Sequence, residues 1–287
     1  MQMKPLTLSL IILVYNEEHH LKACLDAIAA QTVMPEEVIV VDNNCTDGSM
    51  AIARRYKFVK IINQPIQGMI PSRNLGFNAA KGQILARIDA DAQLDPDWAE
   101  RLKTDFQDPT VQAVSGPART LTIPPSFRPH TRLWPIIYFW WTEAEFGIPI
   151  LWGANMAIRS SAWKKIRDQA CLDDAMVHED QDLSYLLAGK GLRVVRDNRL
   201  IMNTNGQTYH EWAKFVEYVQ RRWRTRHMHT AKGTLQTPQT IRLHWWQRLA
   251  RYVAVIVIGM PFLISSFVLG AFKAVIDVIP VGAPTKH

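Results

Sequence analysis

The sequence predicts an α/β fold with a mostly parallel central sheet and helices on both of its faces. Short runs rich in Val, Ile and Leu recur along the first half of the chain, at Leu8–Val14, Val38–Val41, Phe58–Ile62, Ile84–Ile88 and Val111–Val114. Apolar side chains at helical spacing lie between several of these runs, as at Leu21, Leu25 and Ile28 and at Ile52 with Tyr56. Near-continuous apolar strands alternating with amphipathic helices are typical of parallel sheets covered on both faces.

Size and composition indicate a globular protein. The 287 residues are enough for one large domain or two small ones. The apolar content of 48% is that of a globular protein, with a slight shift toward the composition of membrane proteins. Cys24, Cys45 and Cys171 are odd in number, far apart and without a C-x-x-C pair. They therefore indicate neither a disulfide framework nor a zinc site, and they favour a reducing compartment.

The net charge of +7 is compatible with nucleic acid, anionic lipid or phosphorylated substrates. Its distribution favours lipid, because the positive charge is concentrated just before a long apolar segment. The residues concerned are Arg221, Arg222, Arg224, Arg226, Arg242, Arg248 and Arg251. We therefore expect no nucleic-acid partner.

Polar residues follow three of the expected strands. Ligands of open α/β sheets bind at the carboxyl ends of the strands, so these residues are the candidate site. They are Tyr15, Asn16 and Glu17 after the first strand, Asp42, Asn43 and Asn44 after the second, and Asp89 and Asp91 after the fourth. The chain has no G-x-G-x-x-G after its first strand and no G-x-x-x-x-G-K-[ST], so a metal and arginines would have to hold any phosphates.

Asp89 and Asp91 form a D-x-D pair at the end of the Ile84–Ile88 run. Side chains alternate along a strand, so both carboxylates are expected to point the same way. Two carboxylates so close repel each other, and a divalent cation with a phosphate donor would neutralise them. The alternative is a solvated acidic loop before a helix that starts near Asp95–Asp97.

Six short motifs, in order over residues 6–200, resemble the family 2 inverting glycosyltransferases with a GT-A fold. They are Val14–Glu18, Val40–Ser49, Ser72–Gly76, Asp89–Ala92, Gly153–Ala157 and His178–Leu183. The resemblance implies a Rossmann-like GT-A domain, a UDP- or GDP-linked sugar donor and Mg²⁺ or Mn²⁺ as cofactor.

The resemblance also implies a donor site. Its members are Tyr15, Glu17, Asp42, Asn44, Arg73 and Asp89, with Asp91 as the metal ligand. Asp42 would accept a hydrogen bond from the uracil N3–H, and its alternative is a turn-forming role. Tyr15 and Glu17 would flank the base and ribose, whereas Asn16 and Glu17 are also suitable residues for a helix start. Arg73 would lie close to the donor, and its alternative is an ordinary solvated arginine.

On the acceptor side, the resemblance implies that Asp180 is the general base, which deprotonates the attacking hydroxyl. The other acceptor-side residues are Gly153, Asn155, Glu179 and Trp223, and the resemblance implies that Gly153–Ala157 is the acceptor-side loop. The acidic residues Glu179, Asp180 and Asp182 also suit the start of a helix over 180–190, and both roles are compatible. His178 is expected to be structural or to donate a hydrogen bond to phosphate.

One departure from the family pattern concerns the segment Gln220–Trp223. Processive members carry Q-x-x-R-W, and here the run is one residue shorter, which rotates Gln220 by about 100° on a helix. Arg221 or Arg222 would still reach the diphosphate, but the spacing favours transfer of one or a few sugars over polymerisation. His227 and His229 lie on different helix faces, so no metal is expected there.

The C-terminal part predicts membrane attachment. Tyr252–Phe272 is 21 residues without a charge, about 31 Å as a helix. Gly259 and Pro261 interrupt it, so a re-entrant hairpin is the alternative to a span. Flanking Arg and Trp residues place the catalytic domain in the cytoplasm, at the inner or plasma membrane. The aromatic stretch Leu133–Trp141 predicts either a bilayer interface or a core insertion helix.

These observations give five segments. Residues 1–230 form the catalytic domain, with nucleotide binding in 1–118 and acceptor binding in 119–230. A basic, aromatic linker (231–251), a membrane segment (252–276) and a tail (277–287) follow. The expected activity is inverting transfer of a sugar to a hydroxyl of a lipid-linked or envelope-glycan acceptor. The alternatives are a polyprenyl-phosphate glycosyltransferase and a membrane protein that binds a nucleotide sugar without transferring it.

Overall fold

A seven-stranded sheet organises the chain. The computed structural model describes residues 6–120, 139, 142–143, 148–204, 212–233, 246, 249–250 and 253. The strands of this sheet are β1 (Leu8–Val14), β2 (Glu37–Asp42), β3 (Val59–Asn63), β4 (Ile84–Asp89), β6 (Val111–Ser115), β8 (Asn155–Arg159) and β9 (Arg193–Arg196). A second, three-stranded sheet contains β5 (Gln93–Leu94), β7 (Ala118–Thr120) and β10 (Met202–Thr204).

The strand order in the large sheet is β3-β2-β1-β4-β8-β6-β9. The first four strands are parallel, β8 is antiparallel to β4 and β6, and β6 is parallel to β9. In the small sheet β10 pairs with β5 on one side and with β7 on the other. The mostly parallel α/β sheet expected from the sequence is confirmed.

Strand β1 lies inside the sheet, between β2 and β4, and most of its side chains are apolar on both faces. Leu10 and Ile12 belong to the hydrophobic cluster on one face of the sheet, while Ile11 and Leu13 belong to the cluster on the other. Such alternation requires helices on both faces. The helices are α1 (Leu21–Ala29), α2 (Ser49–Ala53), α3 (Met69–Ala79), α4 (Trp98–Asp105), α5 (Ser160–Ile166), α6 (Glu179–Gly189) and α7 (Trp212–Ala231).

Helix α6 lies deep in the molecule. Each of its residues from Asp180 to Ala188 is buried, including the polar residues near its start. Leu183, Leu186 and Leu187 pack into the hydrophobic cluster that contains Ile11 and Leu13. The helix begins at Glu179, one residue before the start expected from the sequence. The side chains of Glu179, Asp180 and Asp182 are largely buried, so their carboxylates face the protein interior rather than solvent.

The structure differs from expectation at Gly153–Ala157, which was expected to be a loop. Strand β8 begins at Asn155, because Met156, Ala157 and Ile158 are fully buried between β4 and β6. A run this short has no clear strand pattern, and its antiparallel direction depends on partners distant in sequence.

The C-terminal expectation lies outside the described residues. Of the segment Tyr252–Phe272 the structure describes only Val253, and of the stretch Leu133–Trp141 only Phe139. Across the described residues, no helix combines the length and apolar character that crossing a membrane requires.

Candidate functional site

The loops after β1 and β2 hold each other at the carboxyl edge of the sheet. The Thr46 backbone N–H donates to Asn16 Oδ1 at 2.8 Å, and the Glu17 N–H donates to Ser49 Oγ at 2.8 Å. Asn16 and Asn44 have φ angles of 53° and 64°, a left-handed conformation that asparagine tolerates better than most residues. These turns explain why asparagines occupy the two positions.

Asp42 ends β2 and shapes the loop that follows. Its Oδ1 accepts the Cys45 N–H at 2.9 Å, which is the turn-forming role that the sequence offered as the alternative. The next residue, Asn43, accepts the Gly68 N–H at 2.9 Å, and Asn44 Nδ2 donates to the Pro65 carbonyl at 3.3 Å. The predicted contact of Asp42 with the nucleotide base is compatible with this turn and stays a prediction.

Tyr15 and Glu17 follow β1 at the same edge. Tyr15 is 47% exposed, so its ring is available to a ligand. Glu17 Oε2 lies 2.8 Å from His20 Nδ1, near the start of α1. The contacts of Tyr15 and Glu17 with the base and ribose stay predictions.

The D-x-D pair continues this edge. Asp89 is the last residue of β4, and the chain then turns, with the Ala92 N–H donating to the Asp89 carbonyl at 3.1 Å. Asp91 Oδ2 accepts a hydrogen bond from Thr204 Oγ1 of β10 at 2.5 Å. Asp89 Oδ1 lies 3.2 Å from Arg87 Nη2. The two carboxylates are therefore anchored separately.

The electrostatics of the pair suit a cation. Burial raises the pKa of Asp89, Arg87 offsets this only in part, and the charges of Asp91 and Glu179 raise the pKa further. A divalent cation would supply the missing positive charge, and Mg²⁺ needs only one or two protein carboxylates when phosphate oxygens and waters complete its shell. Among the described residues, no three His, Cys, Asp or Glu side chains are grouped to hold a metal.

Glu179 joins the D-x-D strand to α6. Its Oε2 lies 2.5 Å from Arg73 Nη1, and its Oε1 accepts a hydrogen bond from Arg87 Nη1. Both arginines are almost completely buried. Burial alone would raise the pKa of Glu179, but Arg87 and Arg73 outweigh it and the pKa is lowered. Arg73, predicted to lie near the donor, is thus buried in an ion pair rather than solvated.

Asp180, the predicted base, is held from two sides. Its Oδ2 accepts the Gly153 N–H at 3.0 Å, and its Oδ1 contacts His178 Nδ1. Burial raises the pKa of Asp180, but His178 and the Gly153 N–H more than compensate, so the pKa is lowered. The carboxylate is therefore ionised and fixed in direction. His178, expected to be structural or to donate a hydrogen bond to phosphate, is in direct contact with Asp180.

Gly153 is packed closely against these groups. A Cβ at this position would lie 2.7 Å from Glu179 Oε1 and 2.8 Å from Arg87 Nη1. Asn155, predicted on the acceptor side, instead lies in the core. Its Oδ1 accepts the Trp98 Nε1–H at 3.0 Å, and its Nδ2 donates to the Pro117 and Leu200 carbonyls.

Helix α7 packs on α6 through its buried face. The His178 N–H donates to Thr225 Oγ1 at 2.7 Å, and His229 Nε2 lies 2.8 Å from Asp182 Oδ1. Arg222, predicted to meet the diphosphate, is buried on the same face as Thr225 and His229.

Other residues of α7 face solvent. Trp223, predicted on the acceptor side, is 55% exposed and its ring lies 5.8 Å from that of His227. Arg221 pairs with Glu217 along the helix. His227 is exposed and His229 is buried, so the two histidines do lie on different faces.

Arg87 and Thr204 were not singled out from the sequence, and neither was the contact between Asp182 and His229. Arg87, Thr204 and the Asp182–His229 pair all act through partners far away in the chain. Arg87 alone had a local signal, because it is a charged residue inside an otherwise apolar strand.

The strand order, and the carboxylates at the edge of the sheet, define a GT-A-like α/β transferase fold. The sequence model of the family "Glycosyl transferase family 2" matches residues 9–169, more than half of the chain. The protein belongs to glycosyl transferase family 2.

Curated relatives match a limited part of the chain. The putative glycosyltransferase EpsH of Bacillus subtilis is 36% identical over 106 residues, 36% of this chain and 31% of that protein. The glycosyltransferase AglE of Haloferax volcanii is 36% identical over 115 residues, 38% of each chain. A cholesterol galactosyltransferase of Borreliella burgdorferi is 32% identical over 108 residues, 35% of this chain and 30% of that protein. The matches thus span about a third of these relatives.

Solved structures share the fold. The mannosyltransferase PcManGT from Pyrobaculum calidifontis, in complex with GDP-Man and Mn²⁺, has a TM-score of 0.57 at 20% identity, over 95% of this chain and 81% of that one. TarS 1-349 of S. aureus, in complex with UDP-GlcNAc, has a TM-score of 0.53 at 17% identity, over 69% of this chain and 58% of that one. At these identities the likeness concerns the fold alone.

Proposed function

We propose that this glycosyltransferase moves a sugar from a UDP- or GDP-linked donor to a hydroxyl of a lipid-linked or cell-envelope glycan, with inversion, at the cytoplasmic face of the inner or plasma membrane. Residues 1–118 would bind the nucleotide and residues 119–230 the acceptor. The linker 231–251, the membrane segment 252–276 and the tail 277–287 would follow.

One observation supports this proposal most strongly. A continuous series of contacts runs from Asp89 through Arg87 to Glu179, and Glu179 is the neighbour of Asp180 in the chain. These contacts support a single site that contains Asp89 and the candidate base. A protein that only bound a nucleotide sugar would have no need for the base.

In this mechanism Asp91 would hold Mg²⁺ or Mn²⁺, and the bound cation would supply electrostatic stabilisation of the nucleoside diphosphate leaving group. Thr204 orients Asp91 through its hydroxyl. Asp89 binds the nucleotide, as the family resemblance implies. The Mn²⁺ and GDP-Man named with PcManGT belong to that protein, and they support a cation of the same kind here.

Asp180 would accept the proton of the attacking hydroxyl. Its lowered pKa keeps the carboxylate ionised at neutral pH, and Gly153 and His178 fix its direction. An incoming hydroxyl would replace one of these two partners. General bases of this kind typically contribute about 10²–10⁴-fold to the rate.

A lipid-linked acceptor is favoured by the sequence beyond α7. The segment Tyr252–Phe272 is apolar, and Arg242, Arg248 and Arg251 precede it. One relative bears the name cholesterol galactosyltransferase, and cholesterol is a lipid, which supports a lipid acceptor here. The shortened Gln220–Trp223 motif favours transfer of one or a few sugars.

The second candidate is a polyprenyl-phosphate glycosyltransferase. The anionic phosphate of such an acceptor needs no base, so Asp180 would be dispensable. The strong contacts that orient Asp180 favour the hydroxyl acceptor.

The test uses the full-length protein in membranes, a panel of UDP- and GDP-linked sugars with Mn²⁺, and lipid extract as acceptor. The proposal expects nucleoside diphosphate release that requires acceptor and stops with EDTA. Asp180→Asn should lower turnover at least about 100-fold and leave nucleotide affinity unchanged. Asp97→Asn, an exposed carboxylate paired with Arg101, is the matched control and should be active.

Three outcomes contradict the proposal in different ways. Full turnover in Asp180→Asn would identify the phosphate acceptor of the second candidate. Nucleotide binding without acceptor-dependent release would indicate a binding protein. Release that persists in EDTA would remove the metal from the mechanism.

A further inference from the structure

Arg87 is a buried charge in a central strand. Its neighbours in β4, Ala86 and Ile88, are fully buried and apolar, and the Arg87 side chain is 3% exposed. Taking a guanidinium out of water costs several kcal/mol unless carboxylates and hydrogen bonds compensate. A Leu or Met would satisfy the strand equally well, so packing alone does not explain this arginine.

Its contacts point to a connecting role. Nη2 lies 3.2 Å from Asp89 Oδ1, on the nucleotide side of the site. Nη1 donates to Glu179 Oε1, on the first residue of α6. Burial alone would lower the pKa of Arg87, but Glu179 and Asp89 outweigh it and the pKa is raised, so the guanidinium stays charged. One planar group therefore holds two carboxylates that are 90 residues apart.

The surrounding groups keep this arrangement fixed. Glu179 is held on its other oxygen by Arg73, at 2.5 Å. Because Gly153 has no side chain, the Arg87–Glu179 pair can pack closely against it. The Gly153 backbone N–H also donates to Asp180. A displacement of Glu179 would therefore be transmitted both to the start of α6 and to the contacts of the base.

We propose that Arg87 is a positioning residue that couples the nucleotide-binding Asp89 to the base Asp180 through Glu179. The coupling rests on the function proposed above and adds to it a residue that touches neither substrate. Through Asp89 it sets nucleotide affinity, and through Glu179 it sets the orientation of the base. The two effects are separable, because each carboxylate is held by a different nitrogen of the guanidinium.

The experiment measures nucleotide affinity and turnover in parallel. Affinity is measured by calorimetry with GDP or UDP and saturating Mn²⁺, using whichever nucleotide the wild type binds. Turnover is nucleoside diphosphate release from the nucleotide sugar that the wild type uses best. Thermal unfolding of each variant shows that it is folded at the assay temperature.

Arg87→Met should weaken nucleotide binding about tenfold or more and lower turnover as well, because both contacts are lost. Glu179→Gln should lower turnover about tenfold but change the nucleotide Kd by less than about twofold, because Asp89 keeps its partner. Compared with Arg87→Met, Arg87→Lys should recover part of the nucleotide affinity or part of the turnover, but not both. An ammonium cannot hold both carboxylates in the planar geometry of a guanidinium. The double variant Arg87→Met with Glu179→Gln should be no slower than Arg87→Met alone.

Arg101→Met is the matched control. This arginine is partly exposed on α4 and pairs with Asp97, the residue just before the helix, so affinity and turnover should equal those of the wild type. Wild-type nucleotide affinity in a folded Arg87→Met would overturn the proposal. So would a double variant whose loss is the product of the two single losses. If the wild type binds neither nucleotide, the proposed function itself is refuted, and this result differs from the two outcomes that overturn only the role of Arg87.

Discussion

Gly153→Ala should disturb the catalytic site directly. The new Cβ would lie 2.7 Å from Glu179 Oε1 and 2.8 Å from Arg87 Nη1, about 0.6–0.7 Å inside the 3.4 Å at which ordinary contact begins. Overpacking of this kind costs about 1–3 kcal/mol, which for a chain of this size lowers Tm by roughly 2–10 °C. We also expect turnover to fall at least about tenfold, because the Gly153 N–H orients Asp180 and small displacements of a catalytic group are costly.

The assay compares turnover with stability, and Gly191→Ala is the matched control. Gly191 has φ +68° and nothing within 4 Å of its Cβ position, so alanine there adds only backbone strain of about 1–2 kcal/mol. Gly191→Ala should lower Tm about as much as Gly153→Ala does and leave turnover unchanged. If Gly153→Ala loses no more activity than Gly191→Ala, the close packing at Gly153 does not position the base.

Three further predictions concern stability and reactivity. Burial and the charge of Asp197 raise the pKa of Asp105 to about 6, so this carboxyl lowers the stability of the fold progressively between about pH 4 and pH 6, fully above pH 6 and not at all below about pH 4. Asp105→Asn should therefore stabilise by about 1–2 kcal/mol at pH 8, after allowance for solvent screening, and by nothing at pH 4, in urea unfolding. His229→Ala should cost about 1–3 kcal/mol in the same assay, because Asp182 Oδ1 loses its buried hydrogen-bond partner while Oδ2 keeps the Cys171 N–H, whereas replacing both partners with apolar residues should cost less. Cys24 is fully buried and burial raises the pKa of its thiol, so a maleimide should label it only after unfolding; rapid labelling of the native protein would contradict its position.

The fold was predictable where the pattern is local. β1, β2 and β4 are largely apolar runs, and the buried face of α1 contains the Leu21, Leu25 and Ile28 that the sequence indicated. The antiparallel strand β8 was not predictable, because its direction depends on pairing Asn155 with Ile88, far away in the chain. The small sheet was missed because its strands are only two or three residues long.

The same distinction applies to the site. Asp42, Asp89 and Asp91 follow apolar runs, so their place at the edge of the sheet follows from the sequence. The partners of these residues do not, because Arg87 and Glu179 are 92 residues apart and Thr204 and Asp91 are 113 apart. No local periodicity connects such pairs, and only the folded sheet brings them into contact.

The central claim is that the carboxylates at this edge of the sheet hold a cation-bound nucleotide, with a separate carboxylate for the acceptor. Calorimetry of GDP and UDP with Mn²⁺, on the wild type, Asp91→Asn and Asp180→Asn, tests it most directly. We expect one nucleotide to bind the wild type and Asp180→Asn equally, to bind Asp91→Asn at least about tenfold more weakly, and to lose affinity in EDTA. Equal binding to Asp91→Asn, with no effect of EDTA, would contradict the account.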